Sequence, residues 1–221
     1  MEFSITDIVT SVKVALDQNM NSEALIQEND IDTLSMEQII KSKIEDAAKI
    51  VTSIAPHHLL DGGKTFGESI GWQSSVGYGR GYIFLPQDFL RLVCFQMSDW
   101  SYPVFTPITS DDPLYQRQFS RFPAIKGNPQ RPVVAITPIV STESNPSNLM
   151  LEFFSCQAGS SIYVKQASYI PIPKISENNT IELCYKLKSA IVYYIAYMVA
   201  LTLGNADVAT AMLNNSKEFL A

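Results

Sequence analysis

Few residues of this sequence have the type and spacing that chemistry requires. Gly62-Gly63-Lys64-Thr65 has the ending of a phosphate-binding loop, in which backbone amides wrap the phosphates. Such a loop needs a glycine five residues before Gly63, and His58 stands at that position. The short match therefore indicates a loop and not a nucleotide site.

The two histidines of the chain, His57 and His58, are adjacent and point in different directions on a helix or a strand. No third histidine, cysteine or carboxylate accompanies them at ligand spacing, so a metal site is only weakly indicated. Because these are the only histidines, few side chains could act as the positioned base that a catalytic nucleophile needs. We expect no catalytic, cofactor-binding or metal-binding residues, and no enzymatic activity.

Two further short patterns indicate turns. Gly77-x-Gly79-x-Gly81 lacks the spacing and the strand-to-helix context of a dinucleotide-binding glycine motif. Asp111-Asp112 offers paired carboxylates, but adjacent acids before Pro113 usually start a turn.

The three cysteines, Cys94, Cys156 and Cys184, are far apart and lie in apolar stretches. Their spacing predicts neither a zinc site nor a disulfide framework, so we expect buried free thiols, which suit a reducing cytoplasm. The acids at the N-terminus precede any basic residue, unlike in a secretory signal. The longest apolar run, 190–203, is shorter than the roughly 18 residues that a membrane span needs.

Helical patterns occupy both ends of the chain. Ser35 and Gln38 form the pattern of a capping box, and Gly204 is placed to cap a helix at its C-terminus. A polar stretch from Asn19 to Asp32 has little to bury. Four stretches have apolar residues at helical steps and fit a small bundle: 5–16, 40–54, 183–201 and 209–220.

The middle of the chain differs, because residues 57–179 hold 11 of the 12 prolines. Asp88–Met97 is compatible with a helix or a strand. At this length, one domain or two compact parts are possible. We predict an α+β fold, in which 1–56 and 180–221 form a small α-helical bundle and 57–179 form a β-rich insertion. Four runs of β-favouring residues between turn formers predict strands: 82–85, 133–137, 149–154 and 162–169.

Charge is unevenly distributed along the chain. The net charge of −6 argues against a dedicated DNA-coating protein. Residues 1–61 hold 11 acids and four bases, a net of −7, whereas the rest of the chain sums to +1. One interpretation is a solvated helix face with an exposed polar linker. The other is an interface with a basic partner, or a surface that repels DNA.

Several arginines of the middle zone stand among aromatic residues, a composition typical of protein–protein interfaces. A tyrosine-rich loop over a small core would have the same composition, so both interpretations remain open. The arginines are Arg91, Arg117, Arg121 and Arg131.

Residues 85–92 read Leu-Pro-Gln-Asp-Phe-Leu-Arg-Leu. This segment resembles the LPxDFLRL segment of head-to-tail connector (adaptor or ring) proteins of short-tailed bacteriophages. Met97-Ser98-Asp99-Trp100 resembles the version in crAss-like phages, and 132–136 resembles the strand that follows there. The helices on either side of Gly204 resemble the closing helices of such adaptors. The likeness covers two ranges: 82–136 and 186–220.

The resemblance implies a structural virion protein without an active site or a cofactor. Its copies would form a homo-oligomeric ring, of roughly twelve subunits, between the portal protein and a neighbouring ring or tail protein. The genome would pass through the lumen without specific binding. The protein would be made in the host bacterial cytoplasm and reside in the virion neck, away from any membrane. The candidate interface anchors are Arg91, Trp100, Arg117 and Arg121.

The alternative is a monomeric module that binds a ligand or a protein in a cleft of the β-rich zone. Oligomeric state separates the two hypotheses, because a ring must bury surface on both flanks of each copy through heterologous contacts.

The excess of acidic residues suits a DNA conduit, because positive groups on its wall would hold the duplex through counterion release.

Overall fold

The computed structural model describes residues 1–16, 35–67, 69–73, 79–140, 148–156 and 162–221. It divides the chain into two compact units, the first made of Met1–Asp61 with Ile172–Ala221 and the second of Gly62–Pro171. The polar stretch from Asn19 to Asp32, and Gly77 of the glycine pattern, lie outside the described residues.

The helices and strands are numbered in chain order. They are β1 (Glu2–Ser4), α1 (Ile5–Ala15), α2 (Met36–Ile54), β2 (Lys64–Thr65), β3 (Gly71–Gln73), β4 (Gly79–Phe84), β5 (Phe89–Met97), β6 (Ile108–Thr109), α3 (Pro113–Arg117), β7 (Val134–Pro138), β8 (Leu149–Cys156), β9 (Val164–Pro171), β10 (Thr180–Glu182), α4 (Lys188–Thr202) and α5 (Ala206–Glu218). Short 3₁₀ turns cover His57–Leu59, Pro123–Ile125 and Tyr185–Leu187.

The first unit joins the two ends of the chain. The apolar stripes of α1, α2 and α4 form one core, because residues three and four apart lie on the same side of a helix. β1 pairs antiparallel with β10. Next to this pair, the amino group of Met1 donates to the carbonyl oxygen of Leu183 at 3.0 Å. Segments that are distant in sequence therefore close a single core.

Local signals fix the helix ends in this unit. The backbone N–H of Gln38 donates to Ser35 Oγ, and that of Ser35 donates to Gln38 Oε1, so the predicted capping box is confirmed. Gly204 has φ +76°, the left-handed conformation expected of a glycine that ends a helix. The hydroxyl of Ser216 on α5 donates to the carbonyl oxygen of Ala190 on α4 at 2.8 Å, which fixes these two helices against each other.

The second unit contains two sheets, of strand order β2-β9-β5 and β3-β4-β8-β7-β6. β6 runs parallel to β7, and the other pairs are antiparallel. The rings of Phe95 and Phe153 are fully buried with centroids 5.6 Å apart. Gly81 lies against the Phe153 ring, where an added Cβ would collide with it. A glycine is therefore required at this position for the ring to pack.

The sequence of 88–97 was compatible with a helix or a strand. In the structure, a turn at Pro86–Asp88 is followed by strand β5. The four predicted strands lie in β4, β7, β8 and β9. Gly79 and Gly81 were expected in a turn and instead belong to β4, which pairs with β8.

The predicted fold class is wrong. In place of a small α-helical bundle with a β-rich insertion, the described residues form a mixed fold of five α-helices and ten strands in three sheets, and strands dominate the core. The pairing of β1 with β10 places strands within 1–56 and 180–221, which were predicted to form a helical bundle. Other strands, such as Lys64–Thr65, are too short for any periodicity to show. The middle of the chain also builds a core of its own around Phe95 and Phe153.

The expected free thiols are confirmed for Cys94 and Cys156, which are buried, whereas Cys184 is only half-buried. Burial raises the pKa of the Cys184 thiol, and the nearby Asp61 carboxylate raises it further because it disfavours a thiolate. Its sulfur donates to the carbonyl oxygen of Leu59 at 2.8 Å. Across the described part of the chain, no helix has both the length and the apolar character to span a membrane.

Candidate interaction surface

One segment of the second unit presents aromatic and basic side chains together to solvent. It comprises residues 113–131, from α3 to the strand β7, and is called the arm below. The arm has four bases and no acid. Phe122 is 72% exposed, although exposing a large apolar side chain is unfavourable in an isolated protein. Its exposed apolar residues are Leu114, Phe119, Phe122 and Ile125, and its exposed arginines are Arg117, Arg121 and Arg131.

Two more exposed aromatic residues adjoin the arm. The backbone N–H of Ser101 donates to the carbonyl oxygen of Pro129 at 2.9 Å, which places this stretch beside the end of the arm. Tyr102 and Phe105 follow directly and are 65% and 50% exposed. The apolar surface is therefore not confined to the arm itself.

The arm begins at a capped helix. Asp112 Oδ1 accepts a hydrogen bond from the backbone N–H of Leu114 at 2.8 Å, and Pro113 occupies the first turn, where no N–H is needed. The Asp111-Asp112 pair was expected to start a turn; in the structure Asp112 starts α3.

The middle of the arm is held by one buried amide. The Gln118 side chain donates to the carbonyl oxygen of Leu114 at 2.9 Å and accepts from the backbone N–H of Gly127 at 2.8 Å. Buried polar groups are costly unless paired, and both ends of this amide are paired. Gln118 thus joins the two halves of the arm.

A buried carboxylate fixes the arm to the sheet. Glu152 on β8 is 2% exposed. One carboxylate oxygen is ion-paired with the Arg80 guanidinium of β4, and the other accepts a hydrogen bond from the Tyr115 hydroxyl at 2.7 Å. Charge-assisted hydrogen bonds are stronger than neutral ones, especially away from water. Tyr115 on α3 is therefore tied to a charge inside the sheet.

The same cluster orients the exposed ring of Phe119. The guanidinium of Arg80 lies 4.8 Å from the Phe119 ring centroid and 5.4 Å from that of Phe154. The rings of Tyr115, Phe119 and Phe154 meet edge to face with centroids 5.2 to 5.8 Å apart. A cation over aromatic faces is attractive. One face of Phe119 is thus fixed by the sheet while 48% of the residue faces solvent.

The environment of Tyr115 raises its pKa to about 12. Burial is the larger cause, and the hydrogen bond to the Glu152 carboxylate adds to it because a phenolate there would be repelled. Tyr115 therefore stays a neutral donor through the physiological range.

The four predicted interface anchors differ in their exposure to solvent. Arg117 and Arg121 lie on the arm and are exposed. Arg91 lies on β5, half-buried, and burial lowers the pKa of its guanidinium. Trp100 is 4% exposed, and its ring packs edge-on against Phe95 with centroids 5.6 Å apart. Trp100 is a core residue of the second unit and has no surface to offer a partner.

Sequence reasoning did not find the network that positions the arm. Its members Arg80, Tyr115 and Glu152 come from three separate elements. One signal was available, because Glu152 is a lone acid within the apolar run 149–154 of a predicted strand. An acid at a buried strand position must be paired, so a basic or hydroxyl partner was to be expected.

The residues of the rejected chemical motifs have structural roles. Lys64 is in β2 and its amino group lies 3.3 Å from the Asp88 carboxylate. His57 and His58 are in a 3₁₀ turn, where the carbonyl oxygen of His58 accepts from the Lys186 amino group at 2.9 Å. Within the described ranges, no group of three or more potential metal ligands comes together.

Comparison with known proteins gives no assignment. No known protein family matches the sequence, and no curated protein does so either. The arm has the composition typical of protein–protein contacts, in which aromatic residues and arginines dominate the energetics.

Proposed function

We propose that this protein is a structural component of a bacteriophage virion, a head-to-tail connector. Its copies form a ring of roughly twelve subunits in the virion neck, between the portal and the neighbouring ring or tail protein. The genome passes through the lumen without specific binding to the wall. The protein has no enzymatic activity in this role.

The observation that carries the proposal is the arm. It holds exposed aromatic and arginine side chains on a buried charge network, so the surface is pre-formed and little conformational freedom is lost on binding. A ring subunit needs such a surface on each flank, because a heterologous contact joins two different patches. Arg117 and Arg121 are the residues we propose as contacts, with Phe119 and Phe122 beside them.

The segment that resembles phage connectors supports the proposal through its place in the second unit. Leu85, Phe89 and Leu92 are buried in the core. Asp88 sits in the turn before β5, where it accepts a hydrogen bond from the Tyr169 hydroxyl at 2.8 Å. These contacts account for the apolar and acidic positions of the segment as parts of a structural turn, which is consistent with a non-catalytic protein.

Electron microscopy of the purified protein with its cognate portal tests the proposal, with a portal-only control. We expect an added annular layer on the portal with matching rotational symmetry. The double variant Arg117→Glu/Arg121→Glu should give an incomplete layer. The matched control Lys165→Glu/Lys174→Glu changes the same charge at exposed positions that do not belong to the arm and should behave like the wild type. A bare portal, with the protein monomeric at high concentration, would instead support the monomeric binding module.

A further inference from the structure

Two short segments of this chain have opposite charge. The arm, residues 113–131, has four bases and no acid, whereas residues 17–34 have five acids and no base. Those five acids account for most of the net charge of −7 in residues 1–61. Both segments also contain apolar residues, aromatic in the arm and aliphatic in 17–34. The two are therefore complementary in charge and share an apolar component.

We propose that the arm of one copy binds the acidic segment 17–34 of a neighbouring copy. The inference rests on the proposed function, because it names the contact that joins adjacent subunits of the ring. Arg117 and Arg121 pair with carboxylates of the segment, while Phe119 and Phe122 bury its aliphatic side chains. A patch that pairs with a different patch on the next copy is a heterologous contact, which is the kind that generates rings.

The arm suits an acidic occupant for reasons of geometry as well as charge. The Arg80 guanidinium is already neutralised by the buried Glu152 carboxylate, so the positive charge at the surface is that of the arm. It comes from the exposed Arg117, Arg121 and Arg131 and from the half-buried Lys126. The adjacent ring of Phe119 is held in place by Arg80 and Phe154. Arginines beside fixed aromatic faces recognise carboxylates with specific geometry.

A charge-swap experiment with the full chain tests the contact. One variant carries Arg117→Glu/Arg121→Glu and the other carries Asp30→Lys/Asp32→Lys. The first variant lowers the net charge of the arm from +4 to 0, and the second lowers that of the acidic segment from −5 to −1, so the attraction between arm and segment of neighbouring copies is weakened in either variant alone. In an equimolar mixture, the unchanged arm of the second variant, with a net charge of +4, meets the unchanged segment of the first, with a net charge of −5. We expect self-association of each variant to be weaker than that of the wild type by about tenfold or more, and the mixture to recover it.

Association is measured by sedimentation velocity at low and at physiological salt. In parallel, a zero-length carbodiimide cross-linker is applied to a mixture of ¹⁵N-labelled and unlabelled wild-type chains. Lys126 of the arm should form mixed-isotope cross-links with acids of 17–34. This readout captures weak contacts and does not require a stable oligomer. The variant pair Lys165→Glu/Lys174→Glu serves as the control and should cross-link like the wild type.

Three results would overturn the contact. Cross-links between Lys126 and 17–34 that join only chains of the same isotope would place the contact within one copy. Variants that associate as the wild type does, with no gain on mixing, would remove the charge pairing. Duplex DNA that displaces the cross-links at stoichiometric concentration would make nucleic acid the occupant of the arm.

The outcome is separable from that of the proposed function. If the portal stays bare in the microscope but the mixed variants associate, the contact stands and the connector role fails. If each swapped variant alone forms a complete layer on the portal, the role stands and the contact fails.

Discussion

Replacing Glu152 by glutamine removes the charge that holds the arm while keeping nearly the same shape. In the wild type, both carboxylate oxygens are used, one by Arg80 and the other by Tyr115. The variant leaves the Arg80 guanidinium without its counter-charge in a site where Glu152 is 2% exposed. Breaking a fully buried ion pair costs about 3–5 kcal/mol. The Arg80 side chain is 24% exposed and remains partly hydrated, so we expect a loss of about 2–3 kcal/mol in the free energy of unfolding.

Tryptophan fluorescence makes this measurement specific to the second unit. The chain has two tryptophans, Trp72 and Trp100, and both lie within Gly62–Pro171. Urea unfolding followed by their fluorescence therefore reports on that unit. Tyr115→Phe, which removes one hydrogen bond to the carboxylate and keeps the ion pair, should cost about 1–2 kcal/mol. Tyr102→Phe is the matched control, because Tyr102 is 65% exposed, and its stability should be unchanged.

The double variant Arg80→Met/Glu152→Met decides whether the loss arises from an uncompensated charge. Removing both partners leaves no unpaired charge but takes away the acceptor of the Tyr115 hydroxyl. The double variant should therefore be more stable than Glu152→Gln and lose no more than about 1–2 kcal/mol, as Tyr115→Phe does. Trypsin adds a local readout, since Arg117 and Arg121 lie on the arm while Arg131 precedes a proline. Cleavage of the arm should be about tenfold faster in Glu152→Gln. The reasoning is refuted if the double variant is no more stable than Glu152→Gln.

The other predictions concern titration and two glycines. The pKa of Tyr115 is about 12 in the folded chain, against the ordinary 10.0. Its neutral form therefore contributes stability that is present below about pH 10 and is lost as the pH rises through 12. In an absorbance titration at alkaline pH, Tyr115→Phe should remove one tyrosine that ionises late, while Tyr169, whose pKa is also about 12, still ionises late. Gly127→Ala should cost about 1–3 kcal/mol by urea unfolding with tryptophan fluorescence, because a Cβ there would collide with Ser155 Oγ and lie 2.9 Å from Val133 Cγ2. Gly204→Ala has open space around the added Cβ but keeps φ at +76°, so it should cost about 1 kcal/mol in unfolding followed by helical circular dichroism; a larger loss would show that packing and not backbone conformation is responsible.

The sequence predicted individual elements better than their arrangement. The capping box at Ser35 and Gln38 depends on residues three apart, and helical steps depend on residues within two turns, so both were visible locally. The pairing of β1 with β10 joins Phe3 to Ile181, and no local pattern encodes such a contact. The fold class was predicted wrongly for that reason.

The candidate surface was found in part. Arg117 and Arg121 were identified by composition, because charged and aromatic residues alternate in that stretch. In the sequence, Trp100 also stands among aromatic residues and arginines, yet its ring is buried against Phe95 and Phe153. Whether an aromatic residue faces a core or a solvent depends on the sheet it follows, and that is a tertiary property. The lone acid Glu152 in an apolar run indicated a paired carboxylate, but the sequence does not identify its partners on β4 and α3.

Because the first unit is discontinuous in sequence, its two parts leave the ribosome at different times. Gly62–Pro171 is a contiguous segment and has all of its strands once it has emerged. α1 and α2 are made before it, but the helix α4 that covers their apolar stripes, and the strand β10 that pairs with β1, are made after it. The apolar faces of α1 and α2 therefore stay uncovered by α4 until more than a hundred further residues have been translated. A nascent chain stalled before α4 should bind chaperones through these helices, and release from the chaperone should coincide with the appearance of the last helices.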